Sequence, residues 1–231
     1  MKNINDYLNM QKKQMDSSAK NWSIETDIVV GSYRAHNNWT DYDEYLFKDF
    51  DTTNLKAIEY GCGPGRNIIR FNNRFKQIDG TDISVECINA ANKNLKQNKI
   101  KNSLLTVCDG KSIPAEDESY DVVFSVICLQ HIPSYDIRLS ILKEAYRVLK
   151  KGGHLCFQMG IGERPFVTSS YYENAFDAKG TNAQHDVRIG HESFLVLDLV
   201  DIIGFKNYKS DIRPTGPGCG HQNWIWVQVE K

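Results

Sequence analysis

The chain has 231 residues and a formal net charge of -1, which suits one α/β domain with a sizeable core. Acidic and basic residues nearly balance, so no field of one sign indicates nucleic acid or an anionic membrane as a partner. No apolar run is long enough to cross a bilayer, and the polar start of the chain lacks the apolar stretch of a signal peptide. We therefore expect a cytoplasmic chain that binds no membrane and no nucleic acid.

The first part of the chain is predicted to form a helical lid or cap, residues 1–50, ahead of a main domain, residues 51–231. Within the cap, residues 1–20 are polar and helix-permissive, and residues 39–49 fit a short helix.

From residue 56 onward, predicted strands alternate with predicted helices. The strands are 56–61, 76–83, 103–108, 120–127, 154–159, 205–214 and 223–231, and the helices are 65–75, 84–98, 134–153 and 191–204. Ser84 is the expected N-cap of its helix, and Gly152 and Gly204 are the expected helix stops. Residues 160–190 follow no regular pattern.

This alternation predicts an α/β fold with a Rossmann-like, doubly wound sheet. The segment between the last two strands is too short for a crossover helix, so those strands must pair antiparallel. The sheet is therefore expected to have seven strands, mostly parallel, with an antiparallel C-terminal hairpin.

A glycine-rich loop, "GCGPG" at residues 61–65, follows the first strand. Ligands of such sheets bind beyond the carboxyl ends of the strands, and glycine lets a backbone approach a ligand closely. The dinucleotide fingerprint requires a glycine where this chain has Arg66, so the loop suits a ligand without a pyrophosphate. A tight turn with no ligand is the alternative interpretation.

Three carboxylates accompany this loop. Glu59 precedes it by two residues, and Asp82 ends the second strand 21 residues after Gly61, about where a carboxylate would meet ribose hydroxyls. Asp109 ends the third strand.

Five segments in order, "EYGCGPGR", "GTDIS", "CDGKSIPAEDESYDVVFS", "DVVFSVICLQHIP" and "VLKKGGHLCFQ", resemble the motifs of class I S-adenosylmethionine-dependent methyltransferases. The terminal hairpin is also typical of methyltransferase sheets. The resemblance implies S-adenosyl-L-methionine as cofactor, with the methionine part at the glycine loop, the ribose at Asp82 and the adenine at Asp109. The cofactor-binding residues expected are Glu59, Gly61, Cys62, Gly63, Asp82, Ile83, Asp109, Gly110, Cys128 and Arg34.

Three histidines lie on loops at the same edge of the predicted sheet. A histidine is the natural base for a hydroxyl acceptor, and we interpret His185 and His221 as base or acceptor ligand and His131 as a lining residue. A metal held by these histidines and Asp186 is an alternative, although no H-x-H or H-x3-H spacing supports it.

Polar and aromatic residues near these loops could contact the acceptor. The candidates are Tyr33, His36, Arg164, Tyr171, Tyr172 and Arg188. Tyrosines and arginines suit a polar or phosphorylated acceptor, and they equally suit a solvated flap. Six cysteines show no C-x-x-C pair, so we expect reduced thiols in the core.

The predicted function is methyl transfer to a small polar acceptor, with the hydroxyl of a sugar or nucleotide sugar as the specific expectation. Nitrogen transfer to a small metabolite and a non-catalytic S-adenosylmethionine-binding protein are the alternatives. A nicotinamide dehydrogenase is disfavoured by Arg66 and by the terminal hairpin.

Overall fold

The structure is a computed structural model, and it describes residues 4–20, 45–162, 169–174, 187–215 and 221–231. The strands, in chain order, are β1 (Lys56–Tyr60), β2 (Gln77–Asp82), β3 (Leu105–Val107), β4 (Tyr120–Val126), β5 (Leu149–Ile161), β6 (Ser169–Ser170), β7 (Val187–Arg188), β8 (Lys206–Pro214) and β9 (Asn223–Glu230). The helices are α1 (Ile4–Ala19), α2 (Arg66–Phe71), α3 (Val85–Gln97), α4 (Tyr135–Val148) and α5 (Ser193–Val196). Two 3-10 turns (Asn72–Arg74 and Leu129–His131) and a π-helical segment (Leu197–Ile203) complete them.

Seven strands form one sheet in the order β3-β2-β1-β4-β5-β9-β8. The pairs among the first five strands are parallel, while β9 pairs antiparallel with both β5 and β8. This confirms the predicted seven-stranded, mostly parallel sheet and its antiparallel C-terminal hairpin. The short strands β6 and β7 form a separate parallel pair.

Both faces of the sheet are covered by apolar packing. Successive side chains of a strand point to opposite faces. On β4, Val123 belongs to one core cluster, whereas Val122 and Phe124 belong to the other. The same alternation separates Phe157 from Cys156 on β5. Burial on both faces is what parallel strands flanked by crossover helices require.

The helix starting at Ser134 ends earlier than predicted. Helix α4 stops at Val148, and Leu149 already has extended backbone and pairs with Tyr120 of β4. Gly152, predicted to stop the helix, lies inside β5, where its N–H donates to the carbonyl of Lys231. Pairing with β4 and the chain's last residue therefore sets this boundary, which a helical pattern in the sequence could not reveal.

Other elements match the prediction more closely. Ser84 caps α3, because its hydroxyl accepts a hydrogen bond from the Cys87 N–H at 3.0 Å. Gly204, with φ +102, ends the last helical segment as expected, although most of that segment is π-helical. The predicted helix 39–49 falls partly outside the described residues. None of the described helices has the length and apolar character needed to span a membrane.

Candidate active site

The backbone N–H groups of the loop after β1 are used in hydrogen bonds to the sheet and within the loop. Gly61, Gly63 and Gly65 have φ of +75, +49 and +83, which L side chains adopt with strain. The N–H groups of Gly61 and Cys62 donate to the carbonyl of Thr81, at 2.8 and 3.1 Å, and that of Gly65 donates to Cys62 at 3.0 Å. These amides are therefore not available to a pyrophosphate, which agrees with the departure from the dinucleotide fingerprint at Arg66.

Each glycine of the loop meets a different environment. A Cβ on Gly61 would lie 2.2 Å from the sulfur of Cys128, and one on Gly65 would lie 2.9 Å from Leu95 of α3. A Cβ on Gly63 would meet nothing within 4 Å. Gly61 thus allows close approach of β1 to the end of β4, Gly65 allows packing on α3, and Gly63 faces open space at the ligand side.

Asp82 ties the loop to the end of β2. One carboxylate oxygen accepts the Gly63 N–H at 2.9 Å, and the other accepts the Ser84 N–H at 2.9 Å. Burial raises the pKa of Asp82, and the hydrogen bonds from Ser84 and Gly63 oppose that shift. The carboxylate is therefore a bridge between the loop and the start of α3.

Glu59 and Asn67 form a buried polar pair behind the loop. The Asn67 amide donates to Oε1 of Glu59 at 2.6 Å. The other carboxyl oxygen, Oε2, and the Asn67 carbonyl Oδ1 have no hydrogen-bond partner among the described residues. Buried acceptors without donors are costly in a folded protein, so this pair is suited to a ligand that donates.

These residues surround a cavity of about 200 Å³ at the carboxyl edge of the sheet. Its wall consists of Gln11, Met15, Glu59, Tyr60, Gly61, Cys62, Gly63, Pro64, Arg66, Asn67, Asp82, Ile83, Cys87, Gly110, Val126, Ile127, Cys128, His131 and Ile132. Nine of the residues predicted from the sequence are among them. The cavity lies where open α/β sheets bind their ligands.

Helix α1 closes one side of this cavity. Gln11 and Met15 contribute to the wall. Asp16, one residue further on, accepts a hydrogen bond from the hydroxyl of Ser84 at 2.6 Å. The N-terminal helix is thus attached to the start of α3 and lies against the cavity.

The 3-10 turn Leu129–His131 carries His131 into the wall, and two side chains hold this turn. The Gln130 side chain accepts the Gly160 N–H of β5 at 3.1 Å. Arg138 of α4, which is 1% exposed, donates to the carbonyls of Ile132 and Tyr171. Burial lowers the pKa of Arg138 to about 10, still far above neutral, so this residue stays a cation under the turn.

The residue before Cys128 has an unusual backbone. Ile127 has φ +55, a left-handed conformation that is a clear outlier for a β-branched side chain. Its N–H donates to the side chain of Gln158 at 3.1 Å, and Ile127 itself lines the cavity. Such strain persists where the surrounding structure enforces it, and it is common at binding sites.

Asp109, which the resemblance places at the adenine, is not among the residues of the cavity wall. Its Oδ1 accepts from the Lys111 N–H and from the N–H and hydroxyl of Ser112. Partial burial opposes ionisation of Asp109, but these hydrogen bonds outweigh it and lower the pKa. The neighbouring Gly110, with φ +86, does line the cavity, where a Cβ would lie 2.5 Å from Ile83.

The two described histidines of the predicted acceptor site lie in different surroundings. His131, interpreted as lining, stands in the cavity wall, and His221, interpreted as a base, does not. His221 is 1% exposed and packs against Gly160, whose Cβ would lie 2.0 Å from the imidazole ring. The sequence could not show that this glycine on β5 leaves room for a ring.

Two predicted acceptor contacts belong to an aromatic cluster instead. The buried Tyr171 donates its hydroxyl to the carboxylate of Asp198 at 2.7 Å. The ring of Tyr172 packs on Tyr135 and Phe194, and its hydroxyl bonds to a backbone carbonyl. Neither lies in the cavity wall, and neither does Arg188, which sits in β7. The remaining candidates, Tyr33, Arg34, His36, Arg164 and His185, lie outside the described residues.

The cysteines near the cavity are free thiols. Cys62, Cys87 and Cys128 line it, and burial raises the pKa of each, so they stay protonated near neutral pH. Across the described part of the chain, no group of three or more His, Cys, Asp or Glu side chains is arranged to hold a metal ion.

Several wall residues were missed by sequence reasoning. Gln11 and Met15 belong to a helix far from the glycine loop in the chain, although with Leu8 they share one helical face. Asn67 follows the loop by two residues and was read as part of an amphipathic helix. Its place in the first turn of the helix that follows the glycine loop was the one signal in the sequence.

The wall fits S-adenosylmethionine. The unpartnered oxygens of Glu59 and Asn67 suit the ammonium of its methionine part. The space beside Gly63, where a Cβ would meet nothing within 4 Å, is open to the same part of the ligand. The thiols, Met15 and the aliphatic residues of the wall form polarizable, apolar surroundings. Such surroundings favour a sulfonium over a strongly hydrated cation.

Comparisons with known proteins agree with this fit. Residues 58–157 match a family model described as a methyltransferase domain. Demethylmenaquinone methyltransferase of Lactococcus lactis is 28% identical over 163 residues, which cover 67% of this chain and 61% of that protein. Phosphoethanolamine N-methyltransferase 2 of Caenorhabditis elegans is 30% identical over 180 residues, which cover 74% of this chain and 38% of that protein. The chain spans 40% to 62% of the length of the first curated relatives.

Solved structures show the same fold. Phosphoethanolamine N-methyltransferase 2 of Haemonchus contortus, in complex with phosphomonomethylethanolamine and S-adenosylhomocysteine, superimposes with a TM-score of 0.70 at 16% identity. The superposition covers 100% of this chain and 61% of that one. The motifs and the matched domain support a class I S-adenosylmethionine-dependent methyltransferase, and the solved structures agree with them in fold.

Proposed function

We propose that this chain methylates the amino nitrogen of a small polar molecule, with His131 removing the proton. The observation that carries the proposal is the position of His131 in the cavity wall, next to Cys128 at the end of β4. A nitrogen that accepts a methyl cation must be neutral when it attacks and must lose a proton, and an imidazole near neutral pH suits that role.

When bound, the cofactor supplies a methyl group that its sulfonium has already activated. The protein then has to hold the acceptor in line and keep water out. The turn that carries His131 is fixed from two sides by Gln130 and Arg138, which limits the freedom of the base. Helix α1 covers one side of the cavity, and we assign it to the cap predicted for residues 1–50.

Nitrogen is favoured over a sugar hydroxyl by the relatives. Those named above are enzymes for demethylmenaquinone and for phosphoethanolamine, and the latter gives the higher identity over the larger part of this chain. No relative named here acts on a sugar, so the sugar hydroxyl predicted from the sequence has no support from these comparisons.

The test is an acceptor panel. The purified chain is incubated with S-adenosylmethionine and, separately, with phosphoethanolamine, ethanolamine, a demethylmenaquinol analogue and a nucleotide sugar, and S-adenosylhomocysteine and methylated products are measured by mass spectrometry. We expect an amine to be converted. Conversion of the quinol or the sugar with no amine converted would overturn the proposal.

Paired histidine variants test the base. His131→Gln is expected to lower turnover about 10²- to 10⁴-fold while leaving the affinity for S-adenosylhomocysteine nearly unchanged. The control is His154→Gln, since His154 stacks on Phe50 with ring centroids 4.1 Å apart, away from the cavity wall. Equal turnover in the two variants would remove His131 from its assigned role.

A further inference from the structure

The wall of the cavity contains a carboxyl group that is buried and only half satisfied. Glu59 is 1% exposed and Asn67 is 4% exposed. The single hydrogen bond between them, at 2.6 Å, uses Oε1 of Glu59 and leaves Oε2 without a partner among the described residues. An ionised carboxylate in this setting lacks both water and donors, so the neutral acid is the more stable form of the empty site.

The charges around Glu59 do not reverse this preference. Arg66 of α2 favours the carboxylate, Asp82 at the end of β2 opposes it, and the thiols of Cys62 and Cys128 nearby are protonated. Burial is the largest effect and raises the pKa of Glu59, while the hydrogen bond from Asn67 lowers it. The net result is a pKa of about 8.

We propose that binding of S-adenosylmethionine or S-adenosylhomocysteine is coupled to the release of one proton from Glu59. In the empty cavity the carboxyl is neutral. When an ammonium group enters, the O–H bond of Glu59 breaks, the proton passes to the solvent, and the ammonium donates to the new carboxylate and to Oδ1 of Asn67. An opposite charge at contact distance favours the ionised form, which is what the empty site lacks.

Two consequences follow for affinity. Because the free protein holds one proton more than the complex, affinity should fall about tenfold for each pH unit below about 8. Above that pH it should level off until the ligand's own ammonium loses its proton. A ligand with the adenosyl part and no ammonium should bind without releasing a proton and should show no such slope.

Titration calorimetry tests this with two probes. S-adenosylhomocysteine carries the ammonium, and 5′-methylthioadenosine lacks the whole amino acid part. Each is titrated near pH 7 into the full chain in phosphate and in Tris, whose ionisation enthalpies differ widely, so that the difference in heat counts protons. We expect about one proton released with S-adenosylhomocysteine and none with methylthioadenosine.

Glu59→Gln should abolish the proton release, whereas the control Glu116→Gln, at an exposed loop position, should keep it. Absence of proton release with S-adenosylhomocysteine, or equal release with both probes, would overturn the proposal. If Glu59→Gln does not fold, the comparison of the two probes on the unmodified chain still decides. No methyl acceptor is present in these titrations, so their outcome is independent of the proposed amine substrate.

Discussion

Gly61 and Cys128 meet where the first strand passes the end of the fourth, so closely that a Cβ on Gly61 would lie 2.2 Å from the Cys128 sulfur and 2.7 Å from its Cβ. The residue after β1 therefore has to be glycine for two reasons, its φ of +75 and this contact. Both constraints shape the wall of the cavity, because Gly61 and Cys128 are wall residues.

Gly61→Ala should therefore damage the site more than backbone strain alone can explain. The chain offers a matched control in Gly152, which also has φ +75 but whose Cβ would meet only a glutamate oxygen at 3.9 Å. Gly152→Ala should cost about 1–2 kcal/mol of unfolding free energy and leave S-adenosylhomocysteine binding intact. Gly61→Ala should lower the affinity more than tenfold, measured by calorimetry. Similar affinities in the two variants would show that the contact with Cys128 is easily relieved.

Asp82→Asn tests whether the carboxylate organises the glycine loop. An amide can offer only one acceptor oxygen, so its NH₂ group would face the N–H of either Gly63 or Ser84, both now at 2.9 Å from the carboxylate. We expect S-adenosylhomocysteine affinity to fall about tenfold or more, since a hydrogen bond to a charged group contributes about 1.5–3 kcal/mol.

Asp121→Asn is the control for this experiment. Asp121 accepts the Lys56 N–H at 2.9 Å, at the opposite end of β1 from the glycine loop. Its replacement should lower the free energy of unfolding and leave the affinity unchanged. If thermal-shift titrations gave the same affinity for Asp82→Asn and Asp121→Asn, the role of Asp82 in holding the loop would be refuted.

The sequence predicted what depends on neighbours along the chain. Local sequence patterns predicted the seven strands, the Ser84 cap and the loop at Gly61. The carboxylates were found from their positions at the strand ends, and the resemblance to a family assigned their roles. Residues whose role depends on tertiary packing were not predictable. Tyr171 looked like a polar contact for an acceptor, but its hydroxyl bonds to Asp198, a partner that only the fold brings within reach. The same holds for His221 behind Gly160.

Arg138→Met tests the support beneath His131. The substitution removes the donor to the carbonyls of Ile132 and Tyr171 in a site that is 1% exposed. Two buried carbonyls without donors should cost about 2–4 kcal/mol of unfolding free energy, measured by urea denaturation. Turnover should fall further than S-adenosylhomocysteine affinity, because the turn that carries His131 loses its support and the imidazole is no longer held in position.

Arg138→Lys and Lys150→Met complete that test. A lysine can donate to one of the two carbonyls, so Arg138→Lys should recover part of the turnover. Lys150 makes an exposed ion pair with Asp121, and its loss should change stability by less than about 1 kcal/mol. A turnover for Arg138→Met that merely follows its folded fraction would contradict a positioning role.

The stability of the empty protein should depend on pH through Glu59. Its pKa rises from 4.5 to about 8 on folding, so between these values the native state holds a proton that the unfolded chain has released. The stabilisation from this group is therefore complete below about pH 4.5 and is lost as the pH rises toward 8. Relative to Glu59→Gln, the natural chain should lose about 1.4 kcal/mol of unfolding free energy per pH unit in that window.

Urea denaturation at pH 6, 7, 8 and 9 measures this difference, with Glu116→Gln as the control that should follow the natural chain. Saturating S-adenosylhomocysteine should abolish the Glu59 contribution to the slope, because the bound ammonium keeps the carboxyl ionised across the range. A constant gap between the natural chain and Glu59→Gln from pH 6 to 8 would mean that Glu59 is already ionised in the empty cavity. The donor to its second oxygen would then have to come from outside the described residues or from ordered water.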